Sequence, residues 1–277
     1  MIRRWPPCSP WPSIAVVNGT LQAAAKAAVP LALALGYAAW GMFSPALLQP
    51  QEYHRFADAR AFLGVANAAD TLSNLAFLVV GLLGLAFLQR ERASGSSERF
   101  ASPREMLPYR VFFAGVALTS AGSAYYHLAP DDERLVWDRL PMTIAFMSLV
   151  AAVVSERVSL RLGAALLWPL VLIGLASVVY WRWSEVAGSE NLRPYLAVQF
   201  GTIAVVLAVS LLYRSRYTHG AVIFVLAAAY GVAKLTEVYD RPIFAAGQLV
   251  SGHTLKHLAA ALGIYFLLRA LQRRTRR

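Results

Sequence analysis

The chain has 277 residues, of which 58% are hydrophobic and only 15% charged, with a mean hydropathy of +0.50 and a formal net charge of +11. A soluble domain of this size carries about a quarter charged residues, so an ordinary water-soluble fold is excluded. The positive charge does not signal nucleic-acid binding, because it is distributed over alternate loops rather than gathered on one face.

Residues 1–26 read as a Pro-rich leader containing Pro6, Pro7, Pro10, Pro12 and the only cysteine, Cys8. One cysteine supports neither a disulfide framework nor a Cys-based zinc cluster. The first apolar run lies too far from the N-terminus and is too long for a signal peptide, so an uncleaved helix is expected. Residues 27–51, 71–89, 111–130, 162–181 and 194–213 contain no Asp, Glu, Lys or Arg. Each approaches the roughly 20 apolar residues that cross a hydrocarbon core of about 30 Å. Residues 140–155 and 217–233 are shorter, and each extends through one titratable residue, Asp138 or Lys234, into a further span. The last span, 251–270, carries His253, Lys256 and His257 at its start. That makes eight predicted spans. Helices are expected, because a spanning segment must satisfy its backbone hydrogen bonds internally and no barrel-like alternation is present. The loop 90–107 is charged and rich in small residues, a flexible connection rather than a boundary. One helical transmembrane domain, 27–270, followed by a basic tail, 271–277, is the expected organisation.

Sixteen of the 26 Lys and Arg residues fall in the N-terminal segment, the even-numbered loops and the tail; six fall in the odd-numbered loops. This asymmetry predicts cytoplasmic termini and a tail that touches anionic lipid heads.

On that topology the unusual polar residues gather at one membrane depth, toward the non-cytoplasmic side. Asp70, Ser73 and Asn74 open the second span, Ser123 and His127 close the third, Asp138 opens the fourth, Glu237 and Asp240 close the seventh, and His253 and His257 open the eighth. Polar groups at this depth are costly and usually line a functional cavity. His253 and His257, four apart, share one helix face, and His127 supplies a third nitrogen. Three protein ligands plus water is the open arrangement of catalytic zinc. Ser123 lies one turn before His127, and Asp138 follows a short connection. The segment His253-Thr254-Leu255-Lys256-His257 lacks the glutamate of the HExxH proteases, so Asp138 is its natural replacement as base. His219 falls at the opposite end, nothing in the sequence fixes His54, Lys234 and Glu237 are expected to neutralise each other, and Tyr125-Tyr126 and Trp181–Trp183 read as interfacial anchors.

These residues resemble the alkaline ceramidases, part of a seven-helix superfamily of membrane hydrolases that includes the adiponectin-receptor relatives. The resemblance rests on Asp70-Thr71-Leu72-Ser73-Asn74-Leu75, Gly122-Ser123-Ala124-Tyr125-Tyr126-His127, Asp138-Arg139-Leu140-Pro141-Met142 and His253-x-x-x-His257, in that order over residues 67–270. It implies a seven-helix core in spans two to eight with one additional N-terminal transmembrane helix at 27–48. It further implies zinc on His127, His253 and His257, with Asp138 and Ser123 at the zinc-bound water or the oxyanion. Arg139 stands where the family usually has Glu. The W-C-E-x-N segment that supplies calcium ligands in eukaryotic members is missing, and Asn67 occupies the position of a family Glu, which leaves calcium in question.

The function expected is zinc-dependent hydrolysis of the amide bond of ceramide or a related N-acyl lipid drawn from the bilayer, giving fatty acid and a sphingoid-type amine. The rival readings are a non-catalytic, zinc-stabilised receptor or regulator, which would tolerate loss of Asp138 and Ser123, and an ion pathway through Lys234, Glu237 and Asp240, which the apolar helix interiors disfavour.

Overall fold

The computed structural model describes residues 14–95 and 98–277. Among the described residues ten α-helices follow one another: α1 (Ile14–Phe43), α2 (Ala68–Ser73), α3 (Leu75–Ala93), α4 (Pro103–Leu128), α5 (Asp132–Arg157), α6 (Leu160–Val186), α7 (Arg193–Leu212), α8 (Val222–Val238), α9 (Asp240–Gly247) and α10 (Gly252–Arg273). Among the described residues there is no strand, only two isolated bridges. The chain is an all-α, multi-pass membrane protein. Six segments are long and apolar enough to cross a membrane, α2 and α3 counting together as Ala68–Ala93, and α8 with α9 makes a seventh although the two bend by 72° at Tyr239.

All eight expected segments are helical, with shifted ends, but among the described residues at most seven, not eight, are long and apolar enough to count as spans. Helix α1 reaches back to Ile14, so the leader expected over 1–26 is helical from that point on, and its prolines and Cys8 lie outside the described residues. Helix α4, the third expected span, is long enough but not apolar enough to count as a membrane span: its first turns hold Arg104, Glu105 and Arg110. Glu105 is nonetheless fully buried, because its carboxylate accepts from Tyr217 Oη at 2.6 Å and from the backbone N–H of Ala101. Asp138 does not open α5. It lies in the second turn, since Asp131 caps the helix by accepting from the Arg134 N–H.

Helix α5 is the axis of the bundle, with 78% of its apolar window buried, whereas α1 packs against α7 at the periphery and buries 6%. Two glycines set the approaches that matter for the site. A Cβ at Gly122 would overlap the Trp137 carbonyl, so α4 and α5 meet closely one residue before Ser123; a Cβ at Gly252 would overlap the Thr236 carbonyl and press on Asp240, so α10 starts hard against the α8–α9 bend. Both contacts need a residue without a side chain. The basic tail is ordered: Arg276 bridges to Tyr217, and Arg274 is buried.

Candidate metal centre and its cavity

Three imidazoles converge at one end of the bundle. His127 comes from the last turn of α4, and His253 and His257 come from the first turns of α10. Their ring centroids form a near-equilateral triangle of 4.8, 4.9 and 5.1 Å, and each residue is at most 4% exposed. One nitrogen from each ring lies within 4.8 Å of the other two. His127 Nδ1 and His253 Nε2 are buried without a hydrogen-bond partner. Buried nitrogens that face one another and find no donor or acceptor are costly, and a shared cation removes that cost. The donor set, three neutral imidazoles on helices, suits zinc.

The surroundings orient the rings. Ser73 Oγ donates to the Asp70 carbonyl at 2.8 Å and sits 2.7 Å from His257 Nδ1. With its only proton on the carbonyl, the hydroxyl accepts from Nδ1–H, leaving the Nε2 lone pair of His257 free, as outer partners of metal-binding histidines do. Asp70 Oδ1 accepts from Ser251 and Thr254, fixing the start of α10. Asp240 accepts from the His253 N–H and, through its other oxygen, from the Ala57 N–H. Asn67, held at φ 44°, donates to the His127 carbonyl at 2.7 Å; asparagine tolerates this left-handed backbone better than most residues. Asn74 is buried, bonding back to the Asp70 and Thr71 carbonyls where α2 gives way to α3.

The segment between α1 and α2 covers the cluster. The Phe56 ring stands edge-on to His127 and His253 at 4.6 and 4.7 Å. Arg60 clasps Asp58, holding that carboxyl below the usual range through their hydrogen bonds, and also donates to the Gln248 and Leu249 carbonyls. His54 is fixed after all, between Tyr126 Oη (2.9 Å) and Asp132 (3.0 Å), and does not join the triangle. His219 lies just before α8, away from the triangle, as expected.

On the other side of the cluster lies a cavity of about 260 Å³, lined by Ser123, Asp138 and His257 at its polar end and running past Phe112, Leu149 and Ile264 between the helices. Asp138 is buried there with Ser123 beside it. Lys234 and Glu237 do pair, at 2.6 Å, but Lys256 joins them at 2.9 Å, an interaction the sequence reading missed. Two expected interfacial anchors are interior instead. Tyr126 and Trp181 are fully buried, and Trp181, with Tyr195, stacks on the Arg139 guanidinium at 4.3 and 4.6 Å. This aromatic seat, with Gln49 accepting from Arg139, explains how an arginine occupies the position after Asp138.

A polytopic helical bundle with a buried three-histidine cluster beside a largely apolar cavity defines a membrane protein equipped with a site that could hold a metal ion. The chain belongs to the ceramidase family, whose model matches residues 61–246. Membership places it among membrane hydrolases acting on the amide bond of ceramide. Comparison with curated proteins gives no match. The match ends before α10, so the geometry, not the match, brings His253 and His257 into the cluster.

Proposed function

We propose that the protein is a zinc-dependent amidase of the bilayer that cleaves ceramide or a related N-acyl lipid to a fatty acid and an amine. The observation that carries this reading is the triangle of imidazoles with two orphaned nitrogens, adjoining one cavity that also holds Asp138 and Ser123. His127, His253 and His257 would hold the ion. When bound, zinc supplies a Lewis acid and brings a coordinated water into titration near pH 7. Asp138 accepts the proton of the attacking water and returns it to the leaving nitrogen, work typically worth about 10²–10⁴-fold. Ser123 donates its hydroxyl to the carbonyl oxygen as that oxygen becomes negative. The apolar reach of the cavity receives the acyl chain, each buried methylene contributing about 0.8 kcal/mol. The charge pattern of the loops supports cytoplasmic termini and a site toward the other face.

The test is to purify the protein in detergent, measure bound zinc, and screen N-acyl lipids for fatty-acid release with and without chelator. Asp138→Asn should keep the zinc and lose about 10²–10⁴-fold in kcat. Undiminished turnover under chelation, or in Asp138→Asn, overturns the mechanism.

A further inference from the structure

The polar end of the cavity is not electrically neutral. Five side chains of formal charge line it: Asp138, Arg139, Lys234, Glu237 and Lys256. Arg139 is held among Trp181, Tyr195 and Gln49 and is only 4% exposed, although its Nη1 finds no partner. Asp138 is assigned to proton transfer. What remains is Glu237 with a lysine on each oxygen: Lys234 Nζ on Oε2 at 2.6 Å and Lys256 Nζ on Oε1 at 2.9 Å. Tyr53 Oη also donates to Oε1, at 3.2 Å. One carboxylate thus holds two ammonium groups side by side, leaving one positive charge in excess, and neither lysine is sealed off: their side chains are 32% and 18% exposed. An ammonium has three donors, so each lysine keeps hydrogens to give after Glu237 is served. Excess charge in a cavity of otherwise apolar lining is unfavourable unless something of opposite sign completes it.

The geometry points to an anion-recognition recess formed by Lys234 and Lys256 beside the reacting bond, so that the preferred substrate is an N-acyl amide bearing a negative group, carboxylate or phosphate, on its amine side. This rests on the amidase reading and narrows its substrate class. Glu237 is a positioning residue that keeps the two ammonium groups together, with Lys256 fixed on the helix that carries His253 and His257.

The experiment compares substrate pairs that differ only in the anion, using the full-length, zinc-loaded protein. N-palmitoylglycine is set against its methyl ester, and ceramide phosphate against ceramide. The recess predicts a kcat/KM ratio of about tenfold or more for the anionic member of at least one pair, the scale of one charge-assisted hydrogen bond; the pair that responds tells carboxylate from phosphate. Lys234→Met should bring that ratio toward one, and Lys234→Arg should restore it, whereas a merely structural lysine would lower both members alike. A ratio of one or below in both pairs, or an equal loss for both members in Lys234→Met, overturns the proposal. The same four lipids are also tested as competitors for a bound fluorescent fatty acid. If none of them is hydrolysed, the amidase reading fails, and charge-selective displacement alone decides the recess: selective displacement upholds it, and equal displacement removes it.

Discussion

At the end of the bundle away from the imidazoles, Glu156 accepts from Tyr109 (2.8 Å), Ser215 (2.7 Å) and Arg274 (2.7 Å), while Arg274 lies against the rings of Phe100, Tyr109 and Tyr217. Tyr217 in turn donates to Glu105. Ser102, Ser155 and Ser210 Oγ, Glu105 Oε1 and Arg274 Nη2 find no partner there, but Glu105 and Arg274 are both anchored through their other atoms. At the imidazole end no hydrogen bond reaches His127 Nδ1 or His253 Nε2, although both are equally buried. One end spends its polar groups on each other and joins the chain's C-terminal stretch to α4 and α5. The other end leaves them pointed at a common centre. Neither burial of polar groups nor a single unpaired atom therefore marks a site; the mark is open valences from separate helices converging on one centre.

That contrast can be broken, and the sharpest attempt is His253→Ala. It should take bound zinc from about one ion per chain to none and abolish amide cleavage, while detergent-solubilised protein keeps its helical circular dichroism, since the bonds of Asp70 and Asp240 that fix the start of α10 do not involve the imidazole. A collapse of helicity would show that both ends are structural. Glu156→Ala should do the reverse. It leaves Arg274 buried without its carboxylate, which costs about 3–5 kcal/mol in thermal or denaturant unfolding, while zinc content and kcat of the folded fraction stay put. Smallest is Ser73→Ala, which frees His257 Nδ1 without touching the cavity. Zinc affinity, read by chelator competition, should fall about 10–100-fold, with the saturated protein turning over near the normal rate.

Much of this was legible beforehand, and for definite reasons. Long uncharged windows gave the spans, and the i, i+4 pair His253–His257 had to share a face whatever surrounded it. The convergence of His127, Ser123 and Asp138 followed from antiparallel helices with short connections. Sequence failed where a partner came from far along the chain. The start of α4 reads as part of the charged loop 90–107 because the hydroxyl that satisfies Glu105 is Tyr217's, more than a hundred residues away. Lys256 looked like a helix-end charge because its tie to Glu237 runs between α10 and α8. Trp181 and Tyr126 looked like interface residues because composition cannot say which aromatic faces inward to receive Arg139 or His54. Phe56, in a segment with no periodicity, carried no signal.

The Phe56 contact has a kinetic consequence. His127 and His253 are absent from the cavity wall and are capped by that ring, with Arg60 tying the cap to the carbonyls of Gln248 and Leu249. A water-soluble reagent approaching from that end meets the imidazoles only while the strap is detached. Reagents that attack from the aqueous phase should therefore act with a lag set by local opening of residues 55–67 rather than by their own concentration, and loosening Arg60 should shorten it.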